Sequence, residues 1–181
     1  MSRGDLIKSL IDYKTPYAEE KKFIHDFLIL LNDEADCFKR TLKTGHITGS
    51  SWIVNKSRDK ALLTYHRKLN RWLQLGGHAD GEEDILNVSK REAKEESGLS
   101  LLVVVSPEIF DIDIHLIPAN VKEDSHYHYD IRYLFEADDR ETLIVSQESK
   151  KLKWIPFAAL STYTHQNESI LRMAEKTSQM L

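Results

Sequence analysis

The sequence predicts an α/β protein, with a mixed β-sheet carrying helices on its faces. Three observations predict it. Apolar residues recur at helical spacing between residues 18 and 38 and again near the C-terminus. Short runs rich in β-branched and aromatic residues occur repeatedly between residues 46 and 155. One acidic helical stretch, residues 84–97, interrupts those runs. Strands and helices interleaved in this way fit layers packed about a single sheet.

The elements follow in order. Residues 5–13 suit a short helix. Thr15-Pro16 can open a longer one, because proline is tolerated in a first turn. From Ala18 to about Phe38, the positions Phe23, Ile24, Phe27, Leu28, Leu31 and Ala35 form one apolar stripe. That stripe needs a partner, either the rest of the chain or a second copy in a homodimer. From Gly45 onward the texture changes. Residues 46–54 and 61–66 read as strands, and Trp72 to Leu75 as a shorter third. Leu101 to Val105 is continuously apolar and suits a buried strand. Further strands are expected at 109–117, 127–137 and 152–155, then a last helix over 167–179 with Asn167 as N-cap. The expected organisation is a helical segment, 1–44, followed by one domain, 45–181.

Composition narrows the functions. The chain has 181 residues, 41% apolar and 30% charged, with a formal charge of −4. That size suits one domain with a sizeable core. The charge does not favour a bulk grip on nucleic acid, which needs a basic face. The single cysteine, Cys37, cannot form an internal disulfide and fits a reducing compartment. The longest apolar run near the start, Phe27 to Leu31, is far short of a membrane span. These features lead us to expect a cytoplasmic protein without membrane attachment.

The chemistry concentrates in residues 76–99. On a helical wheel Glu92, Glu95 and Glu96 fall within an arc of roughly 100°. They lie beside a stripe of small and apolar residues: Leu86, Ser89, Ala93 and Ser97. A solvated acidic face is one reading. Against it, Glu92 and Glu96 are a like-charge i,i+4 pair, which destabilises a helix unless a cation lies between them. Carboxylates at this spacing suit a hard ion such as Mg²⁺. No closely spaced Cys/His signature of zinc type is present in this stretch. Gly76-Gly77 precedes the helix and can take positive φ or approach a ligand closely, and Gly98 follows it as a C-terminal cap.

The spacing in this stretch is that of the Nudix box: Gly77, five residues, Glu83, seven residues, Arg91-Glu92, Ala93, one residue, Glu95-Glu96, one residue, Gly98 and Leu99. Ala93 is small for its apolar position. The chain thus resembles the Nudix hydrolases. The resemblance implies an α/β/α sandwich with a mixed sheet, to which residues 1–44 would be an addition. It also implies metal-dependent hydrolysis of a diphosphate linkage, in a nucleoside diphosphate joined to another moiety or in a nucleoside triphosphate. Glu92, Glu95 and Glu96 would hold Mg²⁺, with Mn²⁺ able to substitute, and Glu95 or Glu96 is a candidate general base. Arg91 and Glu83 would form a buried charge pair that orients loop and helix. Trp154 matches a late-strand Trp of the family, which makes Glu148, six residues earlier, a candidate further ligand or base.

Substrate contacts are expected outside the box. His126, His128, Asp130 and Arg132 share one face of a strand by period-two alternation, and Ile112 to His115 alternates likewise. The first face suits a cleft wall, with a zinc site among its members the minor alternative. Arg67, Lys68 and Arg71 could meet phosphate, Trp72 a base, and His78 the substrate beside the metal. Two rivals stand beside hydrolysis. A non-catalytic Nudix-fold nucleotide sensor is disfavoured because every box glutamate is kept. An isopentenyl-diphosphate isomerase-like enzyme is disfavoured because Cys37 lies in the N-terminal segment.

Overall fold

The computed structural model describes residues 1–119, 121, 124–147 and 149–180. The elements run α1 (Arg3–Asp12), α2 (Ala18–Asp33), β1 (Gly45–Asn55), β2 (Lys60–His66), β3 (Trp72–Leu73), β4 (Leu75–His78), α3 (Ile85–Ser97), β5 (Val103–Val104), β6 (Asp111–Ile117), β7 (His126–Ala137), β8 (Ser149–Pro156), α4 (Leu160–Tyr163) and α5 (Glu168–Ser178). The strands form one eight-stranded mixed sheet.

The centre of the sheet is the parallel pair β1–β7, in register from Gly45↔Tyr127 to Asn55↔Ala137. Each of these long strands changes its other partner part-way. Residues 48–51 of β1 pair with β4, whereas Val54 pairs with Ala61 of β2. Along β7, residues 126–132 pair with β6, and Phe135 and Glu136 pair with β5. The sheet therefore splits on both sides of its central pair.

Alternation along β1 sorts the layers. Ile47 and Ile53 point into a core shared with Leu6, Leu10, Phe27 and Leu31 of α1 and α2 and with Ile85, Val88 and Ala93 of α3. Trp52 and Val54 point the other way, into a core with Leu160, Ile170 and Met173. There the Trp52 indole donates to Thr177 Oγ1 at 2.9 Å, which docks α5. The even-numbered residues at the other end of β1 are His46, Thr48 and Ser50. They are polar and buried.

Several expected boundaries move. α2 ends at Asp33 rather than near Phe38, and the chain then turns through 35–41 so that Cys37 and Phe38 enter the core. The expected buried strand at 101–105 shrinks to two residues. Leu101 is 67% exposed and Val103 48%, because they face outward at the sheet's edge, whereas Leu102 and Val104 pack on the core. The third strand is broken at Gln74 into β3 and β4, which serve different partners. Among the described residues, no helix is long and apolar enough to cross a membrane.

Candidate active site

Helix α3 is built to lie tightly on β1 and β4. Asp84 caps its N-terminus by accepting from the Asn87 amide. Gly98 closes it in the left-handed region at φ +72°, a conformation that favours glycine. Ile85 and Val88 are fully buried, worth about 1.5–3 kcal/mol each. Ser89 and Ser97 return their hydroxyls to the carbonyls of Ile85 and Ala93, and Ser51 of β1 donates to the Ser89 carbonyl at 2.7 Å. Small side chains here let the helix axis approach the sheet.

That close approach sets the carboxylates. A Cβ at Gly77 would meet the carboxylate carbon of Glu92 at 2.5 Å, so glycine there makes room for Glu92. The requirement is space: Gly77 does not have positive φ, although Gly76 does. Glu96 is 6% exposed, and its Oε2 lies 3.4 Å from the Gly76 amide. Glu95 is exposed. Glu148 lies outside the described residues.

The expected Arg91–Glu83 pair is corrected. Arg91 instead bonds Glu82 at 2.7 Å and Glu92 at 2.9 Å, and donates to the His78 carbonyl. It thus ties one box carboxylate to the loop before α3. Glu83 turns to the N-terminal helices, accepting from the Arg3 amide at 2.8 Å. Arg3 in turn donates to the Leu31, Glu34 and Ala35 carbonyls at the end of α2. The first helices therefore brace the box loop.

Beside the sheet, reached by the C-terminal part of α3, lies a cavity of about 330 Å³, within the size range of small-molecule sites. Its wall includes Thr48 and Ser50 of β1, Gly76 and His78 of β4, Asp113 and His115 of β6, His128, Asp130 and Arg132 of β7, and Arg71 and Glu96. The alternation expected for β6 and β7 thus holds, since Asp113 and His115 share this face with His128, Asp130 and Arg132.

Asp130 and Arg132 face the cavity with their polar atoms already engaged. Asp130 accepts from Thr48, Ser50, Gln74 and Arg132. Arg132, buried, also bridges Asp111 at 3.1 Å and Asp113 at 3.0 Å. Burial would raise the Asp111 carboxyl, but the hydrogen bond from Arg172 and the charges of Arg132 and Lys176 outweigh it and hold it below the usual range. Asp113, half-buried, is likewise held low, chiefly by Arg132 and His115.

The remaining predicted contacts scatter. Arg67 donates to the Gln147 and Ser149 carbonyls, and Trp72 packs edge-on against Tyr65 and Tyr163; neither lines the cavity. His126 is buried next to His128, with their Nε2 atoms 3.3 Å apart. His46 carried no expectation from sequence, yet its ring stacks 5.0 Å from those of both His126 and His128 and 5.1 Å from that of His78. The signal was present in the pattern, since His46 shares the polar parity of Thr48 and Ser50, but only strand register shows which residues it faces.

The model of the NUDIX domain matches residues 46–174, well over half of the chain. The chain belongs to the Nudix family. No curated relative matches this Nudix hydrolase. Solved structures do. A Nudix-family hydrolase from Clostridium perfringens is 27% identical, with 75% of this chain and 98% of that one covered, at a TM-score of 0.54. An Ap4A hydrolase from C. elegans, solved as a binary complex, is 18% identical, with 74% and 96% covered, at a TM-score of 0.59. An E. coli dihydroneopterin triphosphate pyrophosphohydrolase is 13% identical, with 72% and 92% covered, at 0.55. At these last two identities the likeness is one of fold.

Proposed function

We propose that this Nudix hydrolase cleaves a diphosphate linkage in a nucleoside diphosphate joined to another moiety, or in a nucleoside triphosphate, using Mg²⁺ or Mn²⁺ held by the box glutamates of α3. One observation carries the reading: a complete box helix delivers a buried carboxylate, Glu96, to the wall of a ligand-sized cavity. The donor set fits a hard divalent ion, being carboxylate oxygen on one helix edge. Glu92 and Glu96 are the inner ligands in this reading, with the exposed Glu95 completing the set from the solvent side. When bound, the ion neutralises phosphate oxygens and acidifies a water.

The chain's own residues do the rest. Arg91 fixes the Glu92 carboxylate through one oxygen and leaves the other toward Gly77. Glu96 takes the proton of the attacking water at its carboxylate. The water oxygen then bonds to phosphorus as the bridging P–O bond breaks, and the departing phosphate keeps the electron pair. Arg71, on the cavity wall, is read as a phosphate contact, and the phosphate-bearing group as a small nucleotide-type molecule. The C. elegans and E. coli likenesses, an Ap4A hydrolase and a dihydroneopterin triphosphate pyrophosphohydrolase, support nucleotide-derived substrates as a class. Residues 1–44 are read as a helical extension that steadies the box loop of the 45–181 domain through Arg3 and Glu83.

A panel of nucleoside diphosphate sugars, dinucleoside polyphosphates and nucleoside triphosphates, assayed with Mg²⁺ for phosphate products, tests this. At least one class should turn over. Glu96→Gln should lower kcat by about 10²–10⁴-fold, the usual contribution of a general base, while the far-UV spectrum is unchanged. Turnover retained in that variant, or tight nucleotide binding with no turnover across the panel, overturns the proposal.

A further inference from the structure

Five of the eight histidines gather on the cavity face of the sheet, and register explains why. His46 of β1 lies opposite His128 of β7, which lies opposite His115 of β6. His126 is two residues from His128 and so on the same face. His78 of β4 pairs with Thr48, two residues along β1 from His46. Within this group the ligand nitrogens of His46, His78 and His128 all lie within 4.8 Å of one another.

The His46 tautomer is set for coordination. His46 Nδ1 contacts the Leu42 carbonyl, which can only accept, so Nδ1 carries the proton and Nε2 carries the lone pair. That Nε2 is fully buried and has no hydrogen-bond partner, and His46 is 1% exposed. His126 donates Nδ1–H to the Asp124 carbonyl, and His115 Nδ1 meets the Asp113 carboxylate. Ring nitrogens anchored to carbonyls and carboxylates in this way are the usual surroundings of metal-binding imidazoles.

We propose that His46, His78 and His128 bind a borderline-soft divalent cation of the Zn²⁺ class, at a site separate from the box glutamates. Three imidazoles suit Zn²⁺, Co²⁺ or Ni²⁺ rather than Mg²⁺. Ligands about 2.0–2.1 Å from one tetrahedral ion stand about 3.4 Å apart, so small side-chain rotations close the trio around it. Gly77 faces Glu92 on α3, whereas the next residue, His78, faces the cavity that Glu96 also lines, so the trio sits beside the box glutamates and shares no ligand with them. His78 and His128 line the cavity and His46 lies behind them. The fourth position therefore opens to the cavity and takes water or an anionic oxygen.

The test is metal binding by the full chain, freed of metal by chelator dialysis and titrated with Zn²⁺ against a chromophoric chelator. Co²⁺ is followed in parallel by its visible absorption. One equivalent should bind, and Co²⁺ should give the intense bands of a tetrahedral site. His78→Gln and His128→Gln should each weaken Zn²⁺ binding by at least about 100-fold, beyond what loss of an outer partner causes. His25→Gln, exposed on α2, and Glu92→Gln should leave it unchanged. Where His128→Gln does not fold, as judged by circular dichroism, the half-buried His78 variant decides. The proposal falls if no stoichiometric ion binds. It also falls if folded His78→Gln binds like the parent, or if Glu92→Gln removes the site and the histidine variants do not.

Discussion

Arg132 offers the sharpest test of how the cavity wall is held. Its guanidinium donates to Asp130 at 2.8 Å, to Asp113 at 3.0 Å and to Asp111 at 3.1 Å, with only 2% of the side chain exposed. Arg132→Met keeps the length and removes three charge-assisted bonds. At about 1.5–3 kcal/mol each, their gross worth is on the order of 5–9 kcal/mol. The carboxylates are not abandoned, however. Asp111 retains Arg172 and Lys176, and Asp130 retains Thr48, Ser50 and Gln74. The expected net loss is therefore that of breaking a buried pair, about 3–5 kcal/mol at pH 7. For a chain of this size that lowers Tm by roughly 6–20 °C.

The pH dependence of that loss has a definite sign. Asp111 and Asp113 have folded pKa values below the ordinary 3.8, so the stability they contribute is present above that value and is lost as pH falls through their folded values. Without Arg132 these carboxyls are held down less strongly, so the gap between parent and variant should narrow below about pH 4. Urea unfolding at pH 7 and at pH 3.5 measures both quantities. A variant within about 1 kcal/mol of the parent at pH 7, or a gap that does not change with pH, would refute this account. So would unchanged stability with weakened ligand binding, which would make Arg132 a binding residue instead.

Other expectations follow from single contacts. Gly77→Ala should cut turnover at least about tenfold, because its Cβ displaces the Glu92 carboxylate; kcat with Mg²⁺ and a thermal melt separate that loss from unfolding. Arg3→Met should lower stability by about 1–2 kcal/mol through the freed carbonyls at the end of α2, while hydrogen exchange in residues 79–84 should stay as in the parent, since the Arg3 backbone amide keeps its hydrogen bond to Glu83. Leu101→Ser should change stability by under about 0.5 kcal/mol, whereas Leu75→Ala should cost about 2–5 kcal/mol; equal costs would contradict the edge placement of β5.

Helix α3 and its chemistry were legible because their information is local. Fixed spacing on one helix decides which carboxylates share an edge, and Asp84 and Gly98 mark where that helix starts and stops. The face of β7 was legible for the same reason, since period two is a property of any strand. Partner choice is not local. Arg91 spans helix and loop and selects Glu82 over Glu83 by reach, a distinction that adjacent glutamates do not reveal in sequence. Leu101 to Val105 has the composition of a core strand, but Leu102 and Val104 pack on the core while Leu101 and Val103 face outward, a division set by where the sheet's edge meets its layers.

The sequence by itself determined the family, the α/β layering, the acidic helix and the polar face of β7. The tertiary structure alone decided what those parts touch. Register between β1, β7, β6 and β4 assembled five histidines from four separate stretches of chain. It also turned Arg132 from a residue facing a cleft into the hub of three carboxylates, two of them buried. Spacing fixes a side chain's direction from its own backbone, whereas its neighbours come from strands dozens of residues away, whose alignment is set by the packing of the whole sheet.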